Sequence, residues 1–493
     1  MVSLRTLVSS LGFSLATTSV LAASSGNSSS TPPIVVKGNA FFDSSSGERF
    51  YIRGVDYQPG GSSNLTDPLS DKTICERDIP VFQDLGINTI RVYTVDNSVD
   101  HSDCMKMLQD AGIYLILDVN TPGSSISRIN PACSYNADYL QSVFATVDAF
   151  AEYDNVLGFF AGNEVINMPN NTNTATYVKA VVRDMKKYIK ARNYRQIPVG
   201  YSAADIVSNR QLAAEYFNCG NDSDARIDMF GVNDYSWCGD SSFVVSGYKT
   251  KVDLYKDYSV PIFLSEFGCN EVPGARPFTE IAAIYSTQMS SVFSGGLVYE
   301  YSNETNNYGL VQIESDTEVK KLQDFENLKN EYASNANPEG DGGYSESNQY
   351  STCPDFVKDV WEANNTLPEM PSAASVYFES GAGAAFGTGI NTQNSCEKDD
   401  DDVDDDNDDD TESSSSSQSS ESTEASSSTV DSSTSTESSS SSSATSSTLS
   451  TSVSSTSSSA STSSKGKKNK NAAGALKAPT FFIAVLELIN FLL

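Results

Sequence analysis

The sequence predicts an α/β fold, a (β/α)8 TIM barrel followed by a disordered acidic and Ser/Thr-rich stalk. Two observations carry the barrel. Over residues 40–310, eight short β-rich runs alternate with segments of helical apolar spacing, and polar residues gather at or just past the C-terminal ends of the runs. A doubly wound sheet gives a similar trace. In a barrel, however, all the strand ends share one face, so residues far apart in sequence converge.

Taken in order, the first run covers residues 50–55 and leads into Asp56, and the second, 89–95, carries Arg91. The third, 114–118, ends on Asp118. The fourth, 156–161, leads to Asn163 and Glu164, with helical spacing before it at 137–152 and after it at 177–192. The fifth and sixth cover 197–201 and 229–232. The seventh, 262–264, leads to Glu266, and the eighth, 296–299, leads to Tyr301.

Composition narrows the function classes. The 493 residues hold 64 Asp and Glu against 32 Lys and Arg, a formal charge of −32, and only 38% are hydrophobic. A polyanion of this size is repelled by nucleic acid and by anionic membranes, so neither is an expected partner. The one histidine, His101, would have to serve any Ser/His/Asp or Cys/His nucleophile, His-rich zinc site or His general base. It is read as structural, and hydrolytic chemistry in such a chain falls to carboxylates.

The ends of the chain indicate a compartment. Residues 1–22, with Arg5 before an apolar stretch and small residues at its end, read as a secretory signal. At the other end, 471–493 reads as a glycosylphosphatidylinositol (GPI) attachment signal with Asn471 as attachment point; its apolar tail is too short to span a bilayer. Residues 411–470 form a Ser/Thr-rich stalk, in which Ser or Thr fills 42 of the 54 positions from 411 to 464. Residues 397–410 are an acidic run with ten Asp, read as a solvated spacer. The catalytic barrel with a short extension is assigned to 23–370 and a linker to 371–396. Removing the tails leaves a charge of −22 on residues 23–396.

Eight cysteines in a secreted chain imply disulfides, and no Cys/His spacing suggests zinc; no metal and no cofactor are expected. Sequons at Asn27, Asn64, Asn170, Asn221, Asn303 and Asn364 agree with passage through the secretory pathway. The chemistry rests on two strand ends, Gly162-Asn163-Glu164 and Ser265-Glu266-Phe267. On the fourth and seventh strands of a barrel these glutamates face each other across the mouth. A close pair suits retaining glycoside chemistry, in which one acid protonates the leaving oxygen and the other carboxylate attacks the anomeric carbon.

Five stretches narrow the assignment: Tyr51-Ile52-Arg53-Gly54-Val55-Asp56-Tyr57-Gln58, Asn88-Thr89-Ile90-Arg91-Val92-Tyr93, Gly162-Asn163-Glu164-Val165, Asn233-Asp234-Tyr235-Ser236-Trp237-Cys238 and Ser265-Glu266-Phe267-Gly268-Cys269. Together they resemble the fungal GPI-anchored β-1,3-glucanosyltransferases of glycoside hydrolase family 72, the Gas/Gel/Phr group, over about residues 35–370. The resemblance implies Glu164 as acid/base and Glu266 as nucleophile, Asn163 on the sugar 2-hydroxyl, and Arg91 and Tyr235 orienting the nucleophile. It implies that Gln58, Tyr93, Asp118 and Tyr299 line glucan subsites, with Tyr235 also at the substrate. Arg91 beside a carboxylate is expected to lower its pKa, as a nucleophile needs.

By the same resemblance, Cys75 pairs with Cys104, Cys219 with Cys353, and Cys238 with Cys269; Cys133 and Cys396 are left over as a candidate fourth pair. Longer relatives carry a cysteine-rich carbohydrate-binding module, for which this chain has too few cysteines after Cys269. The implied partners are a β-1,3-glucan donor, a β-1,3-glucan acceptor and the GPI lipid, with no obligate protein partner evident. The implied reaction transfers the new reducing end of a cleaved glucan to the non-reducing end of another, elongating wall glucan. The alternatives are a retaining β-1,3-glucan hydrolase and an inactive wall-anchored glucan-binding protein.

Overall fold

A computed structural model describes residues 31–61, 64–347 and 349–392. Eight parallel strands form a closed barrel: β1 Ile52–Asp56, β2 Thr89–Val92, β3 Tyr114–Asp118, β4 Val156–Asn163, β5 Val199–Ala204, β6 Met229–Asp234, β7 Ile262–Phe267 and β8 Phe293–Val298. Each strand pairs with its sequence neighbours, and β8 pairs with β1 to close the ring. Closure needs a glycine at 295: its φ is +88°, and a Cβ there would meet the Ile52 carbonyl oxygen at 2.1 Å.

A helix follows each strand: α1 Lys72–Leu85, α2 Ser102–Asp110, α3 Ala137–Phe150, α4 Ala175–Ala191, α5 Arg210–Phe217, α6 Tyr248–Tyr255, the single turn α7 Ile281–Ile284, and α8 Gln323–Ser334. Polar caps set several ends. Asp71 accepts from the Thr73 N–H at 2.7 Å to start α1, and Asn136 accepts from the Tyr139 N–H at 2.9 Å to start α3. One apolar cluster fills the space between strands and helices. A second occupies the barrel interior, where Ile52, Ile116, Leu157, Phe160, Met229, Phe263 and Leu297 meet Ile34 and Phe41. Those last two belong to an N-terminal antiparallel hairpin, Ile34–Lys37 with Ala40–Asp43, whose apolar residues close the barrel floor. The interior is therefore a packed core, and chemistry is confined to the opposite end.

The strand ends differ from the sequence reading in both directions: β2 stops at Val92, short of 95, and β8 covers Phe293–Val298 where 296–299 was expected. Residue Phe50 pairs back onto the hairpin, so β1 begins at Ile52. At the mouth, β4 runs on to Asn163, β6 to Asp234 and β7 to Phe267. Polar residues that read as terminators are ladder members: Asn163 opposes Ser202, and Glu266 opposes Asn233.

Cys75 is bonded to Cys104, Cys219 to Cys353 and Cys238 to Cys269. Cys133 is also disulfide-bonded; its expected partner Cys396 lies outside the described residues. So do the signal at 1–22, Asn27, the acidic run, the stalk, Asn471 and the attachment signal. Among the described residues no helix is long and apolar enough to cross a membrane. Asn64, Asn170, Asn221 and Asn364 are exposed, whereas Asn303 is half-buried and donates to Gln312 Oε1 at 3.3 Å.

Residues 371–392 correct the linker reading as far as they are described. They form a strap along α3 and α4, with Phe378 packed edge-on against Phe144 and Tyr188. Gln141 Nε2 donates to the Ala382 and Ala384 carbonyls, and Tyr377 donates its hydroxyl to Gln141 at 3.0 Å. Apolar residues too sparse to signal a core in sequence thus find one already formed.

Candidate active site

The mouth of the barrel is organised around Glu164 and Glu266. Glu164 follows the last residue of β4 with φ at 47°, a left-handed conformation that a non-glycine residue adopts only where its surroundings compel it. Its N–H donates to the Ser202 carbonyl at 2.9 Å, and its own carbonyl accepts from Arg128 Nη2 at 2.9 Å. The side chain is half-buried, and its Oε1 accepts from Asn233 Nδ2 at 2.9 Å. That amide also reaches Asn163 Oδ1 at 3.1 Å, while Asn233 Oδ1 accepts from Ser202 Oγ at 3.1 Å and Ser265 Oγ at 2.8 Å. The network ties β4, β5, β6 and β7 together and fixes the orientation of the Asn233 amide.

Glu266 lies deeper, at 7% exposure. Its Oε1 accepts from the Tyr93 hydroxyl at 2.9 Å and from Arg91 Nη1 at 3.2 Å, and its Oε2 accepts from the Tyr235 hydroxyl at 2.8 Å. Arg91 is fully buried and forked onto Asp118 by Nε at 3.0 Å and Nη2 at 2.9 Å. Its guanidinium also lies over the rings of Tyr93 and Phe160, at 4.2 and 4.9 Å.

Arg91 lowers the nucleophile's pKa as expected, but burial outweighs it. Burial pushes the Glu266 carboxyl up to about 7; Arg91 pulls it down, the facing Glu164 carboxylate pushes it further up, and the Tyr235 and Tyr93 hydroxyls pull it down. Desolvation is the largest of these contributions and sets the direction. Asp56 goes the same way: burial pushes it well above the usual carboxylate range, with Arg91 opposing and Glu266, Asp118 and Glu300 adding to the push. Both Asp56 carboxylate oxygens lack a hydrogen-bond partner among the described residues.

Two residues expected at glucan subsites hold neighbouring groups in place. Gln58 is buried; its Oε1 accepts from the Tyr93 and Thr94 N–H groups at 3.1 and 3.0 Å, and its Nε2 donates to the Thr66 carbonyl at 2.6 Å. It braces the loops after β1 and β2. Asp118 is buried on Arg91 and orients it. Tyr93 is buried with its hydroxyl on Glu266. Tyr299 does reach the mouth, half-buried, in an edge-on trio with Tyr235 and Tyr308 at 6.4, 5.7 and 5.3 Å between ring centroids.

Tyr308, Asn233 and Glu300 were not singled out as site residues by sequence. Asn233 lies inside one of the five motif stretches, which was a usable signal. Tyr308 and Glu300 sit in the loop after β8, where no periodicity exists to mark them. Burial raises Glu300 to about 7, and Asn306 Nδ2 donates to its Oε1 at 2.9 Å. Tyr301 lies outside the mouth, buried with its hydroxyl on Asp78 at 2.6 Å. His101 is buried against Phe150, with Nε2 2.7 Å from Asp67 Oδ2. Among the described residues no cluster of His, Cys, Asp and Glu could hold a metal ion.

Comparison with known proteins converges on one family. A family model described as glucanosyltransferase, glycoside hydrolase family 72, matches residues 23–336. The chain is 80% identical over 365 residues to the 1,3-beta-glucanosyltransferase GAS5 of Saccharomyces cerevisiae, covering 74% of this chain and 75% of that relative. It is 58% identical over 344 residues to the 1,3-beta-glucanosyltransferase PGA4 of Candida albicans, covering 70% of this chain and 76% of that one. Among solved structures, a mutant of Saccharomyces cerevisiae Gas2p in complex with laminaritetraose and laminaripentaose matches with a TM-score of 0.64 at 44% identity, covering 69% of this chain and 75% of the other.

Proposed function

The chain belongs to the glucanosyltransferases of glycoside hydrolase family 72, and we propose that it elongates β-1,3-glucan by a retaining double displacement on Glu164 and Glu266. The observation that carries the assignment of roles is the hydrogen bonding of the two carboxylates: three donors converge on Glu266, which favours its charged form, whereas one reaches Glu164. Glu266 is buried, with both lone pairs of Oε1 engaged and one of Oε2 left over, so Oε2 is the attacking atom. Glu164 is half-buried, and its Oε2 makes no hydrogen bond among the described residues, leaving that oxygen open toward the leaving group.

In the first step a bond forms between Glu266 Oε2 and the anomeric carbon of an internal residue, the glycosidic C–O bond breaks, and the departing oxygen takes the Glu164 proton. In the second, Glu164 receives the proton of an acceptor 3-hydroxyl as that oxygen displaces Glu266. Asn163 Nδ2, which donates to no group among the described residues, is available to the sugar 2-hydroxyl. The rings of Tyr235, Tyr299 and Tyr308 offer apolar faces to the sugar rings.

An extracellular site of action agrees with the disulfides and with the exposed sequons. GPI attachment at Asn471 would hold the enzyme beside the wall glucan it extends. The test is incubation of the purified protein with a reduced β-1,3-gluco-oligosaccharide and chromatography of the products. Chains longer than the donor are expected; shorter chains alone would mean a hydrolase, and no change an inactive binding protein. Glu164→Gln and Glu266→Gln should each abolish elongation, and full activity in either refutes the assignment.

A further inference from the structure

We propose that Lys251 is a positioning residue for the nucleophile, acting by clamping the two residues that flank Tyr235. The proposal rests on the role of Tyr235 given above. Lys251 sits in the first turn of α6, outside the barrel, and its side chain is only 4% exposed. Its ammonium donates to Asp234 Oδ2, to Ser236 Oγ at 2.8 Å, and meets Asp205 Oδ2 at 2.9 Å. An ammonium has three N–H donors, and here each has one fixed acceptor.

Two of those acceptors belong to the residues immediately before and after Tyr235. They are also bonded to each other, since the Ser236 N–H donates to Asp234 Oδ1 at 2.9 Å. Asp234 is the last residue of β6 and pairs with Phe267 on β7, one residue past Glu266. On the far side, Trp237 Nε1 donates to Thr279 Oγ1 at 2.9 Å, and Cys238 is bonded to Cys269. The backbone at Tyr235 is therefore held from both neighbours, and its hydroxyl falls 2.8 Å from Glu266 Oε2.

The arrangement is not what stability alone selects. A buried ammonium facing two carboxylates, Asp205 and Asp234, with Arg210 Nε 3.0 Å from Asp205, carries a desolvation cost that apolar packing would avoid. What it supplies is one defined geometry for a short segment that contributes a donor to the nucleophile. Besides Tyr235, Glu266 faces Arg91 and Tyr93 from β2 and its loop, Asp56 from β1, Glu164 from β4, and Glu300 and Tyr308 from the loop after β8. None of these is held by Lys251, so its influence reaches Glu266 through Tyr235.

The experiment measures kcat/KM for oligosaccharide elongation against pH in the purified protein and in Tyr235→Phe, Ser236→Ala, Lys251→Met and the Tyr235→Phe/Lys251→Met double variant. Loss of a donor to Glu266 destabilises its charged form, so the acid-side midpoint should move to higher pH in all three single variants. Lys251→Met should lower kcat about tenfold with KM nearly unchanged, and the double variant should have the midpoint of Tyr235→Phe. Ser236→Ala removes one arm of the clamp and no charge, so it tests the same point should Lys251→Met fail to fold. Lowered thermal stability with an unmoved midpoint in Ser236→Ala and Lys251→Met, while Tyr235→Phe shifts it, would overturn the clamp alone. An unmoved midpoint in Tyr235→Phe would overturn the clamp and the role of Tyr235 together.

Discussion

Glu266 is placed where its charge is opposed as well as used. Burial raises it to about 7 although three donors converge on it. A carboxyl whose folded pKa lies above its unfolded value contributes stability that is present below the unfolded pKa and lost as pH rises through the folded one. The window here runs from about 4.5, the ordinary glutamate value, to about 7. Replacing Glu266 by Gln removes that pH-dependent loss. Relative to the unchanged protein, Glu266→Gln should therefore gain stability between pH 4 and pH 8, by at most about 3 kcal/mol, read from denaturant unfolding at the two pH values. A difference that stays constant or reverses would show that the Arg91 contact, not burial, dominates. At this scale the two glutamates were legible because Asn-Glu and Ser-Glu end apolar runs on strands that topology brings together. The bracing of two loops by Gln58 was not: it depends on where the amide finds partners, and those partners, Thr66, Tyr93 and Thr94, carry no mark of it.

The elements show the same division. All eight strands were readable from their β-rich runs, yet three C-terminal limits were set short of polar residues, at Asn163, Asp234 and Glu266, while the second run was carried past Val92. Composition treats a polar residue as an end; in a barrel mouth it is a ladder member whose side chain faces the site. The strap at 371–392 was read as a linker for a related reason, because Gly and Ala dominate its second half and its apolar anchors, Ala374, Tyr377, Phe378, Ala382 and Ala385, are few and scattered. Those anchors work by packing on α3 and α4, which sequence alone does not bring together. A chain ending at residue 370 should thus be less stable than one ending at 392 by at least about 2 kcal/mol, the value of burying one large side chain and a few hydrogen bonds. Unfolding midpoints of the two in urea provide the check; equal midpoints would return the segment to the status of a tether.

At the scale of the whole molecule, charge and topology point to one kind of substrate. The N-terminal hairpin closes the floor, so glucan can approach only through the mouth, and residues 23–396, which hold the barrel, carry −22. The whole chain carries −32. An anionic ligand would meet repulsion at every distance, and its binding would strengthen as salt screens that field; a neutral polysaccharide meets none. The KM for a laminari-oligosaccharide should accordingly change less than about twofold between roughly 20 mM and 500 mM sodium chloride, because the Debye length shrinks over that range without altering hydrogen bonds or ring contacts inside the mouth. Elongation rates at fixed pH across the salt series measure this directly. A KM that falls steeply with salt would mean that the substrate, or a group attached to it, is charged, and would break the link between the acidic surface and a neutral glucan.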